Sequence, residues 1–250
     1  MTVHFVGAGP GAADLLTLRA VELLRTSQVC LYAGTYVDGE VLAHCPAGAR
    51  LVDTRDLDLD RIVEALVEAH RAGHDVVRLC SGDPSVYSAL AEQTRRLDEA
   101  GVPWDVTPGV PAYAAAAALL GTELTVPEVA QSVVLTRAQA RSTRMPSTES
   151  LAHFAASRAS LVLHLGITRI RDLVEDLAPS YGSDCPVAVV AFASRPNEVV
   201  LRGTLADIAD QVEAAGLRHT ALILVGPALG VRHGGTDFRG SHLYDPARPR

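Results

Sequence analysis

The feature that most constrains the fold of this chain is a repeated order of short strand, glycine- or proline-containing loop and helix. Three strand-like segments, residues 3–6, 75–80 and 104–107, each run directly into such a loop. Apolar residues recur at helical spacing over residues 17–26 and 59–72, which lie between the strands. Strands that alternate with helices form a mostly parallel sheet covered by helices. The pattern therefore predicts an α/β fold.

The second half of the chain begins the alternation again and adds a hairpin. Residues 187–192 and 198–202 are neighbouring strand-like segments, so they predict a mixed, partly antiparallel second sheet. Two α/β domains follow, residues 1–120 and 121–230, with the boundary in the polar stretch that opens the second. We expect the polar tail, residues 231–250, to be loosely ordered or to lie over a partner subunit.

Composition and charge exclude several classes of function. The formal net charge of -7 disfavours a general nucleic-acid-binding surface. All 22 basic residues are arginine, so the chain lacks the lysine of a Schiff-base enzyme or a P-loop. The four cysteines show no metal-ligand spacing, and no metal site is predicted. No apolar run reaches the roughly 18 residues of a membrane span and no basic leader is visible, so we expect a soluble cytoplasmic protein.

Loop 1, residues 7–11, reads Gly-Ala-Gly-Pro-Gly between a strand and a helix. Glycines let a ligand approach the backbone closely, so the loop is a candidate nucleotide- or cofactor-binding turn. The dinucleotide pattern GxGxxG is met only in part, because Ala12 occupies the third glycine position and Pro10 has no N–H for a phosphate. A tight structural turn and a different cofactor loop both remain open.

Loop 2, residues 81–84, reads Ser-Gly-Asp-Pro at the carboxyl end of a strand, where open α/β sheets bind ligands. An exposed Asp83 can accept hydrogen bonds from an ammonium group or a ribose hydroxyl. Pro84 suits the first turn of a helix predicted over residues 85–100. We expect Asp83→Ala to weaken ligand binding with little loss of stability. The structural alternative is a strand–turn–helix in which Asp83 only caps the helix.

Loop 3, residues 107–112, holds two prolines around one glycine and is the third loop at a strand end. Taken alone, it is most simply a rigid structural turn. Three such loops at the ends of three strands in one domain are more informative than any one of them. Together they predict a ligand site at one edge of the sheet.

With these loops in order, the chain resembles the tetrapyrrole (corrin/porphyrin) methyltransferase family over residues 2–230. Loop 1, loop 2 with its flanking residues, loop 3 and the C-terminal strand at residues 220–226 match four family motifs, and their order and spacing are more specific than any single motif. The resemblance implies a two-domain α/β fold, S-adenosylmethionine bound in a cleft between the domains, and a homodimer.

The resemblance also implies which residues contact the cofactor. Relatives often have methionine at the position of Leu165 and glycine at that of Ala193. No catalytic residue is identified from the sequence. Carried over by position, the cofactor contacts are Pro10, Ser81, Gly82, Asp83, Val86, Pro111, Ala112, Leu165 and Ala193.

Residues 31–37, Leu-Tyr-Ala-Gly-Thr-Tyr-Val, bear on the substrate. They resemble the corresponding segment of family members that methylate precorrin-4 at C11, giving precorrin-5, in cobalamin biosynthesis. Members that act on uroporphyrinogen III carry an aspartate where Ala33 and Gly34 stand, so no base is carried over. Tyr32 is a candidate substrate contact or a plain core residue. The same reaction on cobalt-precorrin-4, or at another ring position in corrin or sirohaem synthesis, remains open.

An anionic tetrapyrrole carries acetate and propionate carboxylates, which arginine binds as a fixed planar donor. Arg137, Arg141 and Arg144 share one face if their stretch is helical. These three and Arg55 are candidate substrate contacts, with a solvated surface as the alternative for each. His164 is a packed histidine or a base.

Functions outside tetrapyrrole synthesis are also compatible with these motifs. The same fold serves diphthine synthases and ribosomal RNA ribose methyltransferases, whereas loop 1 and the acidic charge favour a small-molecule substrate. A nucleotide-binding module without catalysis is the non-enzyme alternative.

Overall fold

The computed structural model describes residues 1–138, 144–234 and 240–241. The chain divides into two compact units, Met1–Ala115 and Ala116–Arg250, each with its own β-sheet. The division falls within a helix, slightly before the domain boundary expected after residue 120, which stays a prediction. No helix among the described residues is both long and apolar enough to cross a membrane.

The first unit is built on a five-stranded sheet in which all paired strands are parallel. The order across the sheet is β3-β2-β4-β1-β5, so all five carboxyl ends lie at one edge. The predicted parallel sheet is confirmed. The third strand was not predicted, because it is half exposed and has only two apolar residues. The strands are β1 (Val3–Gly7), β2 (Val29–Tyr32), β3 (Arg50–Asp53), β4 (Val76–Cys80) and β5 (Trp104–Thr107).

Helices cover both faces of this sheet, because alternate strand residues point to opposite sides. The first two helices contribute Leu24 and Val41 to the core on one face. The next two contribute Leu66 and Leu97 to the core on the other face. The helices are α1 (Leu18–Thr26), α2 (Gly39–Leu42), α3 (Leu59–Arg71), α4 (Leu90–Glu99) and α5 (Ala112–Leu120), with a short 3-10 helix at Ala13–Leu15.

Helix α4 begins at Leu90, so the helix predicted from residue 85 is wrong over its first turn. The Asp83 carboxylate accepts hydrogen bonds from the N–H and hydroxyl of Ser85, which closes a turn instead of a helix. Tyr87 and Ala89 then have left-handed φ values of 54° and 56°. The spacing of apolar residues gives no sign of such local hydrogen bonds, which compete with helix formation.

The second unit contains a mixed five-stranded sheet of order β6-β7-β10-β8-β9. The first two of these strands are parallel, and the remaining pairs are antiparallel. The predicted partly antiparallel sheet is confirmed. The strands are β6 (Val133–Arg137), β7 (Ser160–His164), β8 (Pro186–Ala191), β9 (Val199–Thr204) and β10 (Ala221–Val225).

Helices of the second unit pack against one face of its sheet. Their apolar residues join alternate residues of the strands in one buried cluster that includes Leu163, Leu177 and Ile208. Residues 231–233 of the predicted tail continue a 3-10 helix, and most of the remaining tail lies outside the described residues. The helices are α6 (Leu151–Ala155), α7 (Ile170–Tyr181) and α8 (Ile208–Ala214), with 3-10 helices at Ile167–Arg169 and Pro227–His233.

Two leucines test the core of the first unit. Leu66 on α3 is fully buried, whereas Leu18 at the start of α1 is 90% exposed. We expect Leu66→Ala to lower the free energy of unfolding by about 2–5 kcal/mol, because it removes buried apolar surface and leaves a cavity. Leu18→Ala should change it by less than about 0.5 kcal/mol. Urea denaturation followed by circular dichroism measures both, and equal losses would contradict the assigned core.

Candidate functional site

The loops that follow the strands of the first unit lie together at the carboxyl edge of its sheet. Loops 1, 2 and 3 follow β1, β4 and β5, which are neighbours in the sheet. Residues 32–37 and 53–55 lie at the ends of β2 and β3, on the other side of β4. The predicted cofactor loops and the predicted substrate residues of this unit therefore form two adjacent groups along one edge, where open α/β sheets bind ligands.

Loops 1 and 2 are joined by backbone hydrogen bonds beyond the ends of their strands. The Gly9 N–H donates to the carbonyl of Gly82 at 3.1 Å, and the Gly82 N–H donates to the carbonyl of Gly9 at 2.8 Å. This pair is an antiparallel bridge, although β1 and β4 are parallel. The reversal needs φ values of 70° and 64°, which glycine adopts without strain.

Three glycine backbones, Gly7, Gly82 and Gly109, meet where loops 1, 2 and 3 approach each other most closely. We call this set the glycine contact. A Cβ atom at Gly7 would overlap the amide nitrogen of Gly109 and lie 2.8 Å from the carbonyl oxygen of Gly82. A Cβ at Gly109 would overlap that same oxygen and lie 2.8 Å from the Cα of Gly7. Since backbone atoms cannot rotate aside, the contact requires glycine at both positions.

The Asp83 side chain holds loops 2 and 3 together. Its Oδ2 accepts a hydrogen bond from the Gly109 N–H at 2.8 Å, and its Oδ1 accepts from the Ser85 N–H at 2.8 Å and from the Ser85 hydroxyl. Partial burial raises the pKa of Asp83, but these hydrogen bonds outweigh burial and hold the pKa below its ordinary value. The arrangement argues against the expectation that removing this carboxylate spares stability.

The other predicted cofactor contacts of the first unit lie in or directly beside the loops that form the glycine contact. A Cβ atom on Gly82 would lie 3.5 Å from the nitrogen of Ala112 and 3.6 Å from the Cα of Pro111, so these three positions touch. Ser81 is exposed, and Pro10, Val86, Pro111 and Ala112 are half-buried. Apolar proline, valine and alanine surfaces beside backbone and hydroxyl groups suit a small molecule with both apolar and polar parts.

In the second unit, β6, β7 and β8 end at one edge of the sheet, because β10 runs antiparallel between β7 and β8. Leu165 follows β7 and Ala193 follows β8, so both predicted contacts lie at this edge. Leu165 has a φ of 55°, and Phe192 and Ser194 on either side of Ala193 have φ values of 52° and 64°. Left-handed backbone at residues other than glycine costs energy and clusters at functional sites. Sequence reasoning missed this signal.

The segment that follows β2 is fixed by Asp53. Its Oδ1 accepts hydrogen bonds from the N–H groups of Gly34 and Arg55, each at 3.0 Å, and its Oδ2 accepts from Nε of Arg55 at 2.8 Å. The carbonyl of Tyr32 accepts from the N–H and the hydroxyl of Thr54. The structure therefore brings the ends of β2 and β3 together at Asp53 and Thr54, which sequence reasoning missed because β3 itself was not predicted.

Arg78 on β4 is a buried cation, 8% exposed, that sequence reasoning also missed. Its Nε donates to the amide oxygen of Gln93 at 3.2 Å, and its Nη1 donates to the hydroxyl of Thr54 at 3.1 Å. Burial lowers its pKa. Both hydrogen-bond partners are neutral, so neither of them neutralises the positive charge of Arg78. The signal was an arginine within an otherwise apolar strand.

The predicted arginine face is not formed as expected. Arg137 is the last residue of β6 and is paired in register with His164 of β7, so the helical condition for a shared face is not met there. Arg144 is exposed and belongs to no helix or strand, and Arg141 lies outside the described residues. Burial lowers the pKa of His164 to about 4, which makes it a weak proton acceptor near neutral pH.

Comparison with known families and proteins gives consistent matches. The model of the Tetrapyrrole (Corrin/Porphyrin) Methylases matches residues 2–209. The precorrin-4 C(11)-methyltransferase of Rhodococcus erythropolis is 58% identical over 250 residues, which are 100% of this chain and 99% of that protein. The enzyme of the same name from Sinorhizobium sp is 54% identical over 250 residues, covering 100% of this chain and 97% of the relative.

Solved structures are similar in fold. The X-ray structure of a cobalt-precorrin-4 methyltransferase of cobalamin biosynthesis gives a TM-score of 0.88 at 36% identity, covering 91% of this chain and 95% of that chain. The uroporphyrin-III C-methyltransferase of Thermus thermophilus, complexed with S-adenosylhomocysteine, gives a TM-score of 0.79 at 30% identity. It covers 92% of this chain and 100% of that chain. The predicted α/β fold is therefore that of these solved methyltransferases.

The glycine contact makes a sharp prediction about stability. We expect Gly109→Ala to lower the free energy of unfolding by about 1–3 kcal/mol or more, because the added Cβ meets rigid backbone. Gly39→Ala is the matched control, since a Cβ there has nothing within 4 Å, and it should change stability by less than about 0.5 kcal/mol. Chemical denaturation measures both variants. A Gly109→Ala protein as stable as the control would disprove the contact.

The hydrogen bonds of Asp83 predict a pH dependence. Asp83→Asn should cost about 1–3 kcal/mol at neutral pH, because an amide donor replaces one of two committed acceptors. The folded pKa lies below the unfolded value, near 4, so the carboxylate stabilises the fold above that value and loses this effect as pH falls through the folded pKa. The deficit of the variant should therefore shrink below about pH 4.

Urea unfolding at neutral pH and near pH 3 measures the change in this deficit. The exposed Asp56→Asn is the control and should match the wild type at both pH values. An Asp83→Asn deficit that stays constant with pH would show that the carboxylate charge is not what the hydrogen bonds stabilise.

Proposed function

Because the chain belongs to the tetrapyrrole (corrin/porphyrin) methylase family, we propose that it methylates precorrin-4 at C11, with S-adenosylmethionine as donor, to give precorrin-5 in cobalamin biosynthesis. The single observation that carries the proposal is the identity over the whole chain to precorrin-4 C(11)-methyltransferases of two organisms. The second product would be S-adenosylhomocysteine.

The carboxyl edge of the first sheet supports S-adenosylmethionine as the methyl donor. The glycine contact leaves backbone, proline and alanine surfaces there, with the exposed hydroxyl of Ser81 beside them. A family member at 30% identity has been solved with S-adenosylhomocysteine. When bound, this donor supplies a methyl group that is already activated by its sulfonium. The residues proposed to hold it are Pro10, Ser81, Gly82, Asp83, Val86, Pro111 and Ala112 of the first unit, with Leu165 and Ala193 of the second.

The chain's own part in such a reaction is to position the reactants and exclude water. The glycine contact and the Asp83 hydrogen bonds fix loops 1, 2 and 3 in one arrangement before a ligand arrives. The attacking atom is a ring carbon of the substrate, so no protein nucleophile is needed. Burial raises the pKa of Cys80, beside loop 2, to about 11, which keeps this thiol protonated at neutral pH and prevents it from competing for the methyl group.

Cobalt-precorrin-4 is the second candidate substrate. The solved cobalt-precorrin-4 methyltransferase is 36% identical to this chain, whereas the Rhodococcus erythropolis precorrin-4 enzyme is 58% identical. This difference favours the metal-free ring. The segment at residues 32–37, next to Arg55 in the structure, is where we expect the protein to discriminate among tetrapyrroles.

We also propose that the protein acts as a homodimer in the cytoplasm. The family resemblance supports the dimer, and the described residues contain no helix that could cross a membrane. Sedimentation equilibrium of the purified protein tests the assembly. A mass equal to that of one chain, 26.4 kDa, at micromolar concentration would refute the dimer.

The decisive experiment is turnover of precorrin-4 and cobalt-precorrin-4 side by side, with the donor methyl group labelled by carbon-13. We expect transfer to precorrin-4, and NMR should locate the new methyl group at C11. Methylation at any other carbon would refute the assignment, and faster turnover of the cobalt-containing ring would favour the second candidate.

Calorimetric titration with S-adenosylmethionine is the control for this experiment. We expect binding in the micromolar range, at about -8 kcal/mol or tighter. Binding without turnover on either ring would favour another methyl acceptor. Absence of binding would favour the non-enzyme alternative, a module that binds a different nucleotide.

A further inference from the structure

We infer that Asp53 is a positioning residue for a substrate carboxylate site at Arg55, and that Gly34 leaves the space in which this site forms. The inference rests on the proposed function, because a tetrapyrrole acid supplies the carboxylate. It goes further by assigning a role to Asp53, which no family motif indicated, and by naming what Gly34 contributes beside it.

The Asp53 carboxylate makes three hydrogen bonds with distinct tasks. The N–H of Gly34 ties the segment after β2 to the end of β3, and the N–H of Arg55 closes the turn that follows Asp53. The third comes from Nε of Arg55 at 2.8 Å and sets the direction of the guanidinium. The backbone hydrogen bonds come first among the causes that hold the pKa of Asp53 below its ordinary value. Asp53 therefore stays charged at neutral pH and continues to accept the hydrogen bond from Nε of Arg55.

Gly34 is required by the ion pair and not by its backbone angles. A Cβ at this position would overlap Nη2 of Arg55 and Oδ2 of Asp53. Both atoms belong to side chains, so a larger residue would displace the ion pair and strain the backbone hydrogen bonds that Asp53 accepts. The absence of a side chain at Gly34 leaves the space that the Arg55 guanidinium occupies. Gly34 also belongs to the segment, residues 31–37, that differs among members of the family.

Arg55 retains donors for a ligand. Within the part of the chain that the structure describes, its Nη1 and Nη2 atoms donate no hydrogen bond, and its side chain is 52% exposed. A guanidinium held at Nε presents its two outer nitrogens as a planar fork, which matches the two oxygens of a carboxylate. An ion pair this exposed contributes only about 0–1 kcal/mol to the free energy of unfolding, so a stabilising role does not account for its geometry.

The surroundings of Arg55 support a ligand role. It lies at the carboxyl edge of the parallel sheet, next to the end of β2 and on the same edge as loop 2. Thr54 separates it from the buried Arg78, so two cations flank one residue. Among the described residues, the ion pair of Arg55 is with Asp53. Asp58 caps helix α3, Asp60 pairs with Arg96, and the neighbouring Asp56 is exposed and forms no ion pair with Arg55.

The test is binding of uroporphyrin III, a stable tetrapyrrole polycarboxylate, by the full-length wild type and three variants at fixed ionic strength. Arg55→Gln should raise the dissociation constant about tenfold, as expected for loss of a bidentate charged contact. Asp53→Asn keeps an oxygen for the two backbone N–H groups but releases the guanidinium, and it should raise the constant about threefold to tenfold. Fluorescence titration measures both.

Arg61→Gln is the matched control. Arg61 is an exposed arginine on helix α3 whose partner is Glu64, so its loss changes the net charge equally. It should stay within about twofold of the wild type. Gly34→Ala, which moves the pair while leaving every charge in place, should weaken binding as Asp53→Asn does. Circular dichroism and thermal unfolding confirm that each variant is folded.

A second measurement separates positioning from a structural role. With precorrin-4 as substrate, Arg55→Gln and Asp53→Asn should raise the KM for the tetrapyrrole and leave the KM for S-adenosylmethionine unchanged. Arg55→Lys should bind the tetrapyrrole more tightly than Arg55→Gln and less tightly than the wild type, because lysine restores the positive charge without the planar guanidinium.

Each outcome decides the inference. Wild-type affinity in Arg55→Gln or equal weakening by Arg61→Gln would overturn the carboxylate site. If the wild type rejects uroporphyrin III, the KM for precorrin-4 decides, and an unchanged KM in Arg55→Gln would overturn the site. Wild-type affinity in Asp53→Asn would overturn the positioning role. The proposed function can fail separately from the inference. That outcome is uroporphyrin III binding that is weakened by Arg55→Gln, together with no methylation of precorrin-4 or cobalt-precorrin-4.

Discussion

The glycine contact is the constraint on which the rest of the candidate site depends. Three strands of the first sheet end in loops whose backbones touch at Gly7, Gly82 and Gly109, at distances that leave no room for a Cβ atom on the first or the last. Close packing without side chains holds the loops in one arrangement and leaves backbone groups at the surface. The cofactor residues proposed for this unit lie around that contact, so their placement follows from it.

Two aspartates organise the carboxyl edge of the same sheet by similar means. Asp83 accepts hydrogen bonds from the backbone of loop 3 and from Ser85. Asp53 accepts from the backbone after β2, from the backbone after β3 and from the side chain of Arg55. In each case the hydrogen bonds lower the pKa of the carboxyl group and keep it charged. The two carboxylates thus hold loops in place, and Arg55 is the cation proposed to bind an anionic substrate.

The fold was predictable wherever apolar periodicity decides it. The parallel first sheet, the mixed second sheet and the three strand-end loops follow from alternating apolar segments. Prediction failed where local or cross-strand hydrogen bonds override periodicity. The turn at Ser85 delays helix α4, and pairing with β7 places Arg137 in a strand. It also failed at β3, whose edge position leaves few buried side chains to give a pattern.

The sequence by itself determined the α/β class and the resemblance to a methyltransferase family, because glycine, proline and apolar spacing are written directly in the chain. Only the tertiary structure decided that Asp83 is committed to loop 3, that Asp53 directs Arg55, and that Arg78 is buried among neutral partners. The reason is physical. These interactions join residues that are separated along the chain or belong to different strands, and hydrogen-bond geometry and burial arise only when the sheet brings those residues together.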